Sequence, residues 1–142
     1  MASSVSSEQI SEFQEKGVTV LRGVFSDWGD VLRKGVDANM ADPDPNARIY
    51  TGKDGGGRFF VDYCNWARIL EYKEFIFNSD AAAIGAELME SKQVQLFHEH
   101  VLVKEAATGV PTPWHQDAPY YCVDSAKTVS LWIPLDDVPR ET

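Results

Sequence analysis

Residues 94–104 read VQLFHEHVLVK, and this run decides the fold class. Successive side chains of an extended strand point to opposite faces. His98, His100, Leu102 and Lys104 therefore share one side, while Phe97, Glu99, Val101 and Val103 share the other. The β-branched content also predicts a strand. The histidine side has two readings. It lines a polar site inside a barrel, or it faces solvent while Phe97, Val101 and Val103 fill the core. Periodicity leaves both open.

The chain before this run carries mostly helical signals. Residues 6–16 predict a helix: Ser6 and Gln9 fit a capping box, Ile10 and Phe13 form an apolar stripe, and Gly17 fits the stop. Residues 18–25 are rich in β-branched side chains and predict a strand. Ser26 is placed to cap a second helix, in which Trp28, Val31, Leu32 and Val36 recur at helical spacing. Residues 41–57, ADPDPNARIYTGKDGGG, read as a loop, either a plain surface loop or a lid over a site. Residues 58–63 predict a strand, residues 65–77 a helical or irregular aromatic-rich stretch, and residues 79–89 a helix with Ser79 at its start.

After the run, residues 105–113 form a loop with Gly109, Pro111 and Pro113. Residues 114–123 read as extended, and residues 128–135 as another strand. Helices first and closely spaced strands afterwards point to an α+β protein whose β part is a sandwich or barrel.

Chemistry concentrates in residues 112–121, TPWHQDAPYY. On an extended segment His115 and Asp117, two apart, project to the same side. An imidazole nitrogen and a carboxylate oxygen then meet one metal ion, as two ligands of the facial triad of non-heme Fe(II) oxygenases. H-x-D alone is a weak motif, more often a solvated pair on a strand edge. Trp114 before it, and Pro119, Tyr120 and Tyr121 after it, are consistent with a shaped, partly dry pocket or with ordinary packing.

Bulk properties narrow the field. The 142 residues suit one domain, and 44% hydrophobic with 25% charged residues excludes global disorder. The net charge of -9 disfavours nucleic acid and anionic membranes as partners. Cys64 and Cys122 are too few for a disulfide framework, so reduced thiols are expected. No apolar run approaches the ~20 residues of a membrane span, and residues 1–13 lack the core of a signal peptide. A cytoplasmic protein is the expectation.

Three motifs in order carry a resemblance: LFHEHVLVK at residues 96–104, TPWHQD at 112–117 and VSLWIPLDDV at 129–138. With Arg58, Phe59 and Phe60 upstream, the chain resembles phytanoyl-CoA dioxygenase family proteins over essentially its whole length. The resemblance implies a single domain over residues 1–142. Residues 1–93 would be a mostly helical N-terminal part, and residues 94–142 the first strands of a double-stranded β-helix, or jelly roll. It implies Fe(II), 2-oxoglutarate and O₂, with decarboxylation to succinate and hydroxylation of a small organic substrate.

His115 and Asp117 take the positions of iron ligands in that resemblance. Lys104, Trp132 and His100 fall at cosubstrate positions, and Trp114, Tyr120 and His98 border the substrate. The family also uses a distal histidine and a basic residue that clamps 2-oxoglutarate. Here the histidines are His98, His100 and His115, and only Arg140 lies beyond Trp132 among basic residues. The resemblance therefore implies that about half of the barrel strands are missing. Three readings follow: a truncated sequence, a short protein that self-associates through open strand edges, or a site in which His98 or His100 is the third ligand. The alternative to an oxygenase is a catalytically incomplete relative serving as a binding or structural module.

Overall fold

A computed structural model describes residues 5–52, 55–123 and 125–139. The first helix, α1 (Ser7–Lys16), has the capping box expected from the sequence. Ser6 Oγ accepts from the Gln9 N–H at 3.3 Å, and Gln9 Oε1 accepts from the Ser6 N–H at 2.9 Å. These bonds satisfy donors that a helix N-terminus leaves without partners. Gly17 ends the helix at φ 75°, a left-handed conformation suited to glycine.

Residues 18–25 form no strand. Val18 and Val20 stay exposed, while Leu21, Val24 and Phe25 turn into the helical layer. β-Branched side chains favour a strand only against a neighbouring strand, and this segment packs on helices instead. A 3-10 turn, Ser26–Trp28, leads into α2 (Gly29–Ala41). Ser26 does not cap α2, because its hydroxyl donates back to the Gly23 carbonyl at 2.9 Å.

Three antiparallel strands follow the order β1-β2-β3: β1 (Arg48–Thr51), β2 (Arg58–Tyr63) and β3 (His100–Lys104). β1 lies within the stretch read as a loop. Its four residues are all exposed, so no buried-face alternation marks it, and its order comes from pairing with β2. β2 has the predicted bounds. Only residues 100–104 of the predicted 94–104 strand are paired. Arg58 and Glu105 clasp the end of the β2–β3 pair through a guanidinium–carboxylate fork, with both Nε contacts at 3.0 Å. The Arg58 hydrogen bonds hold the Glu105 carboxyl down at about 2.

The two remaining helices are α3 (Leu70–Asn78) and α4 (Ala81–Leu88). Phe60 and Val101 of the sheet meet Ile69 and Tyr72 in one core, joined by Leu32, Val36 and Met40 of α2. The opposite sheet face is uncovered by helices. Register places Tyr63 beside His100, Val61 beside Leu102 and Phe59 beside Lys104 on that face. The histidine side of β3 is thus the open one, with Val101 and Val103 on the core side. Phe97 does not join that core and is itself exposed.

A second core surrounds Val5, Ile84 and Leu88, with Phe13, Val129 and Leu131 packed against it. Residues 128–135, predicted as a strand, have no ladder partner among the described residues. The alternation persists nonetheless: Val129, Leu131, Ile133 and Leu135 are half-buried, while Ser130, Trp132 and Pro134 are exposed. The segment lays one side of an extended chain on the helical layer, and the Arg33 guanidinium donates to the Leu135 carbonyl. The architecture is α+β, with four helices and an open three-stranded sheet. The described residues form no closed barrel. None of their helices is long and apolar enough to cross a membrane.

A polar network ties the helices to the sheet. Asp62 on β2 is only 1% exposed. Its Oδ2 accepts from Asn39 Nδ2 of α2 at 2.8 Å and from the Asp44 N–H at 3.0 Å, and its Oδ1 accepts from the Tyr63 N–H at 2.9 Å. Burial pushes the carboxyl up, but the Asp44 N–H, Asn65, Asn39 and the Tyr63 N–H together hold it below its ordinary 3.8. Arg68 braces the other side, donating to Asn65 Oδ1 at 2.6 Å and to Asp42 Oδ2 at 3.2 Å.

Two predictions follow from this packing. A Cβ on Gly35 would stand 2.6 Å from Tyr72 Cε1. Alanine gains about 1 kcal/mol of helix propensity, but overpacking costs about 1–3 kcal/mol, so Gly35→Ala is expected to lower the urea midpoint. Asp62→Ala strands buried donors at about 1–3 kcal/mol each. Because the folded pKa is depressed, this stabilisation is present above about pH 4 and is lost as pH falls through the folded value. Urea titrations of wild type and Asp62→Ala should differ by more than about 2 kcal/mol at neutral pH and converge in acid.

Candidate metal centre

The site forms locally, within residues 113–121. His115 Nδ1 lies 2.7 Å from the Pro113 carbonyl oxygen. A carbonyl only accepts, so with a metal ion on Nε2 the Nδ1–H would donate to Pro113. Nε2 lies 3.1 Å from Asp117 Oδ1. An imidazole nitrogen and a carboxylate oxygen at this separation can both turn toward one cation. An imidazole nitrogen with a carboxylate oxygen suits divalent iron, manganese or zinc. Both side chains keep about half of their surface open, at 42% and 53%. The donor set fits a metal ion. Among the described residues no third histidine, cysteine, aspartate or glutamate clusters with the pair.

The convergence does not come from a paired strand. Asp117 has helical backbone angles, φ -72° and ψ -38°, and opens the 3-10 turn Ala118–Tyr120, which contains Pro119. The Tyr120 N–H donates to the Asp117 carbonyl at 2.9 Å, and the Tyr121 N–H to the Ala118 carbonyl at 3.1 Å. This turn brings the Tyr121 hydroxyl within 3.2 Å of Asp117 Oδ2, to which it donates. The sequence reading chose Tyr120, whose ring is 77% exposed and lies edge-on to His115 at 6.4 Å. For Tyr121, a turn that starts at an aspartate and carries a proline is the available signal of a contact four residues on.

Aromatic rings connect this turn to the sheet. The Tyr121 ring lies 5.1 Å from that of Phe97 and 5.8 Å from that of His98. His98 lies 6.2 Å from His100, which meets Tyr63 edge-on at 5.8 Å. Burial among these rings, and then the neighbouring His98, pull the His100 pKa below its ordinary value. His98 and His100 thus sit on the side of the sheet from which the His115–Asp117 pair is reached. An open cleft of about 540 Å³ runs beside the pair, lined by Asp117, Tyr121, Ser130, Val129 and Phe13.

The remaining candidates are more dispersed. Lys104 stands at the far end of β3, about 13 Å along the strand from His100, with its ammonium 5.0 Å above the Phe59 ring. Trp114 is fully exposed and shares a shallow groove with Pro113 and His115. Trp132 is 74% exposed, on the side of its segment that faces away from the helices. Cys64 and Cys122 are free and exposed.

A family model, phytanoyl-CoA dioxygenase, matches residues 13–142. The chain belongs to the phytanoyl-CoA dioxygenase family. At the family level this means an Fe(II)- and 2-oxoglutarate-type oxygenase. Searches of curated proteins and of solved structures found no match. The family match includes the His115–Asp117 segment, the 94–104 run and the extended segment at 128–135.

A metal ion on Nε2 fixes a tautomer that can be observed. In the Zn(II)-loaded protein, His115 is expected to keep its proton on Nδ1, facing the Pro113 carbonyl, read from long-range ¹H–¹⁵N correlations. Coordination through Nδ1, with the proton on Nε2, would contradict the ligand assignment.

Proposed function

We propose that this protein is an Fe(II)- and 2-oxoglutarate-dependent dioxygenase that hydroxylates a small organic substrate, with His115 and Asp117 as two of the protein ligands. The observation that carries this reading is the 3.1 Å approach of His115 Nε2 to Asp117 Oδ1, with Nδ1 tied back to the Pro113 carbonyl. That tie orients the ring and raises the basicity of the ligating nitrogen, as an outer-shell acceptor does. When bound, iron supplies the oxidising chemistry that couples decarboxylation of 2-oxoglutarate to hydroxylation of a substrate C–H bond.

The chain's own residues bind and orient. In this reading Lys104, on the open sheet face, supplies a compact charge for a carboxylate of the anionic cosubstrate. His100, with its lowered pKa, stays neutral near pH 7 and serves as a polar wall rather than a second cation. In this reading Trp132 flanks the cosubstrate. Trp114, Tyr120 and His98 border the substrate, and the exposed Trp114 and Tyr120 rings offer it apolar surface to cover. The net charge of -9 draws a divalent cation toward the chain.

Two measurements test the proposal. Anaerobic Fe(II) titration is expected to show one site. His115→Ala should weaken it by more than ~100-fold, beyond the loss typical of an outer-shell change. With Fe(II), ascorbate and 2-oxoglutarate, the wild type should release succinate. Metal binding without succinate would indicate a binding module in place of an oxygenase, and no metal binding would overturn both ligand assignments.

A further inference from the structure

Asp117 lies in a turn with 53% of its side chain exposed. An exposed aspartate samples several rotamers, and a ligand that must first be ordered binds more weakly. Something must therefore hold its carboxylate toward His115. The Tyr121 hydroxyl, 3.2 Å from Oδ2, is placed to do so. The other oxygen, Oδ1, is the one facing His115 Nε2.

Tyr121 is itself held from outside the turn. Its ring lies edge-on to Phe97 at 5.1 Å and to His98 at 5.8 Å, both on the extended lead into β3. A tyrosine has two rotatable side-chain bonds, so a ring wedged in this way delivers its hydroxyl at little further entropic cost. The backbone supports the same placement, because the 3-10 turn at Ala118–Tyr120 sets the distance between Asp117 and Tyr121. Tyr120, one residue earlier, is exposed, and its ring meets His115 rather than the lead into β3.

We propose that Tyr121 is a positioning residue for the metal site: its hydroxyl holds Asp117 Oδ2, so that Oδ1 is the ligating oxygen, and Phe97 and His98 buttress its ring. The proposal rests on the reading of His115 and Asp117 as metal ligands. It also ties the metal site to the sheet, because the buttress lies on the extended lead into the strand that carries His100.

Tyr121→Phe keeps the ring contacts and removes only the hydroxyl. Anaerobic Fe(II) titration of this variant should show an affinity ~10–100-fold below wild type, the usual loss for an outer-shell partner. The far-UV circular dichroism and thermal midpoint should be unchanged, and the visible spectrum of the Co(II)-loaded protein should shift. Wild-type affinity and an unshifted Co(II) spectrum in Tyr121→Phe would overturn the proposal, since a packing role alone survives the change to phenylalanine.

If Tyr121→Phe does not fold, Phe97→Ala replaces it. That variant keeps the hydroxyl and removes its buttress. It must weaken Fe(II) binding with the dichroism retained, and wild-type affinity there overturns the proposal. His115→Ala separates the two levels of the account. If it binds Fe(II) as tightly as wild type, the ligand assignment fails. If it loses binding while Tyr121→Phe does not, only the role of Tyr121 fails.

Discussion

A buried carboxylate sets the geometry of this chain. Asp62 sits on the helix-facing side of β2, where the pleat would otherwise place an apolar residue. A dry carboxylate costs several kcal/mol unless donors surround it, and here they come from α2, the 42–47 loop and β2 itself. A one-residue slip of β2 would bring Val61 or Tyr63 to the helices and expose Asp62. The network therefore fixes the face as well as the fold. Phe60 and Asp62 point to the helices, so Tyr63 and its neighbour His100 point to the open side.

The His115–Asp117 pair depends on shorter-range forces. Pro113 orients His115, and the turn at residues 118–120 orients Asp117. These are exposed contacts and are individually weak. The ring series from Tyr121 through Phe97 and His98 to His100 links the pair to the rigid sheet. The helical layer gives a second anchor, since Val129 and Leu131 pack beside Leu88 and Ile84, and Val129 also lines the cleft next to Asp117. The packed rings brace a pair that stands on an exposed segment.

Local signals in the sequence were legible where local forces decide the structure. The capping box at Ser6 and Gln9, the glycine stop at Gly17 and the bounds of β2 all follow from short-range rules. The strands predicted at residues 18–25 and 128–135 are absent as ladders because a strand needs a partner, and these apolar rows pack on helices instead. β1 was hidden for the converse reason: four exposed residues between proline- and glycine-rich flanks become a strand only through β2. The Asp62 network could not be read at all, since Asn39, Asp62, Asn65 and Arg68 are ordinary polar residues until the fold brings them together. At the site, spacing placed His115 beside Asp117, whereas the contact from Tyr121 arises from a turn that an extended reading excludes.

The central claim is that one metal ion binds between an imidazole nitrogen and a carboxylate oxygen of the same short segment. Anomalous diffraction from crystals grown under nitrogen with Fe(II), recorded on both sides of the iron absorption edge, tests this most directly. The account requires an iron peak within bonding distance of His115 Nε2 and an Asp117 carboxylate oxygen. An ordered iron peak elsewhere, with those two side chains still 3.1 Å apart and empty between them, would contradict it.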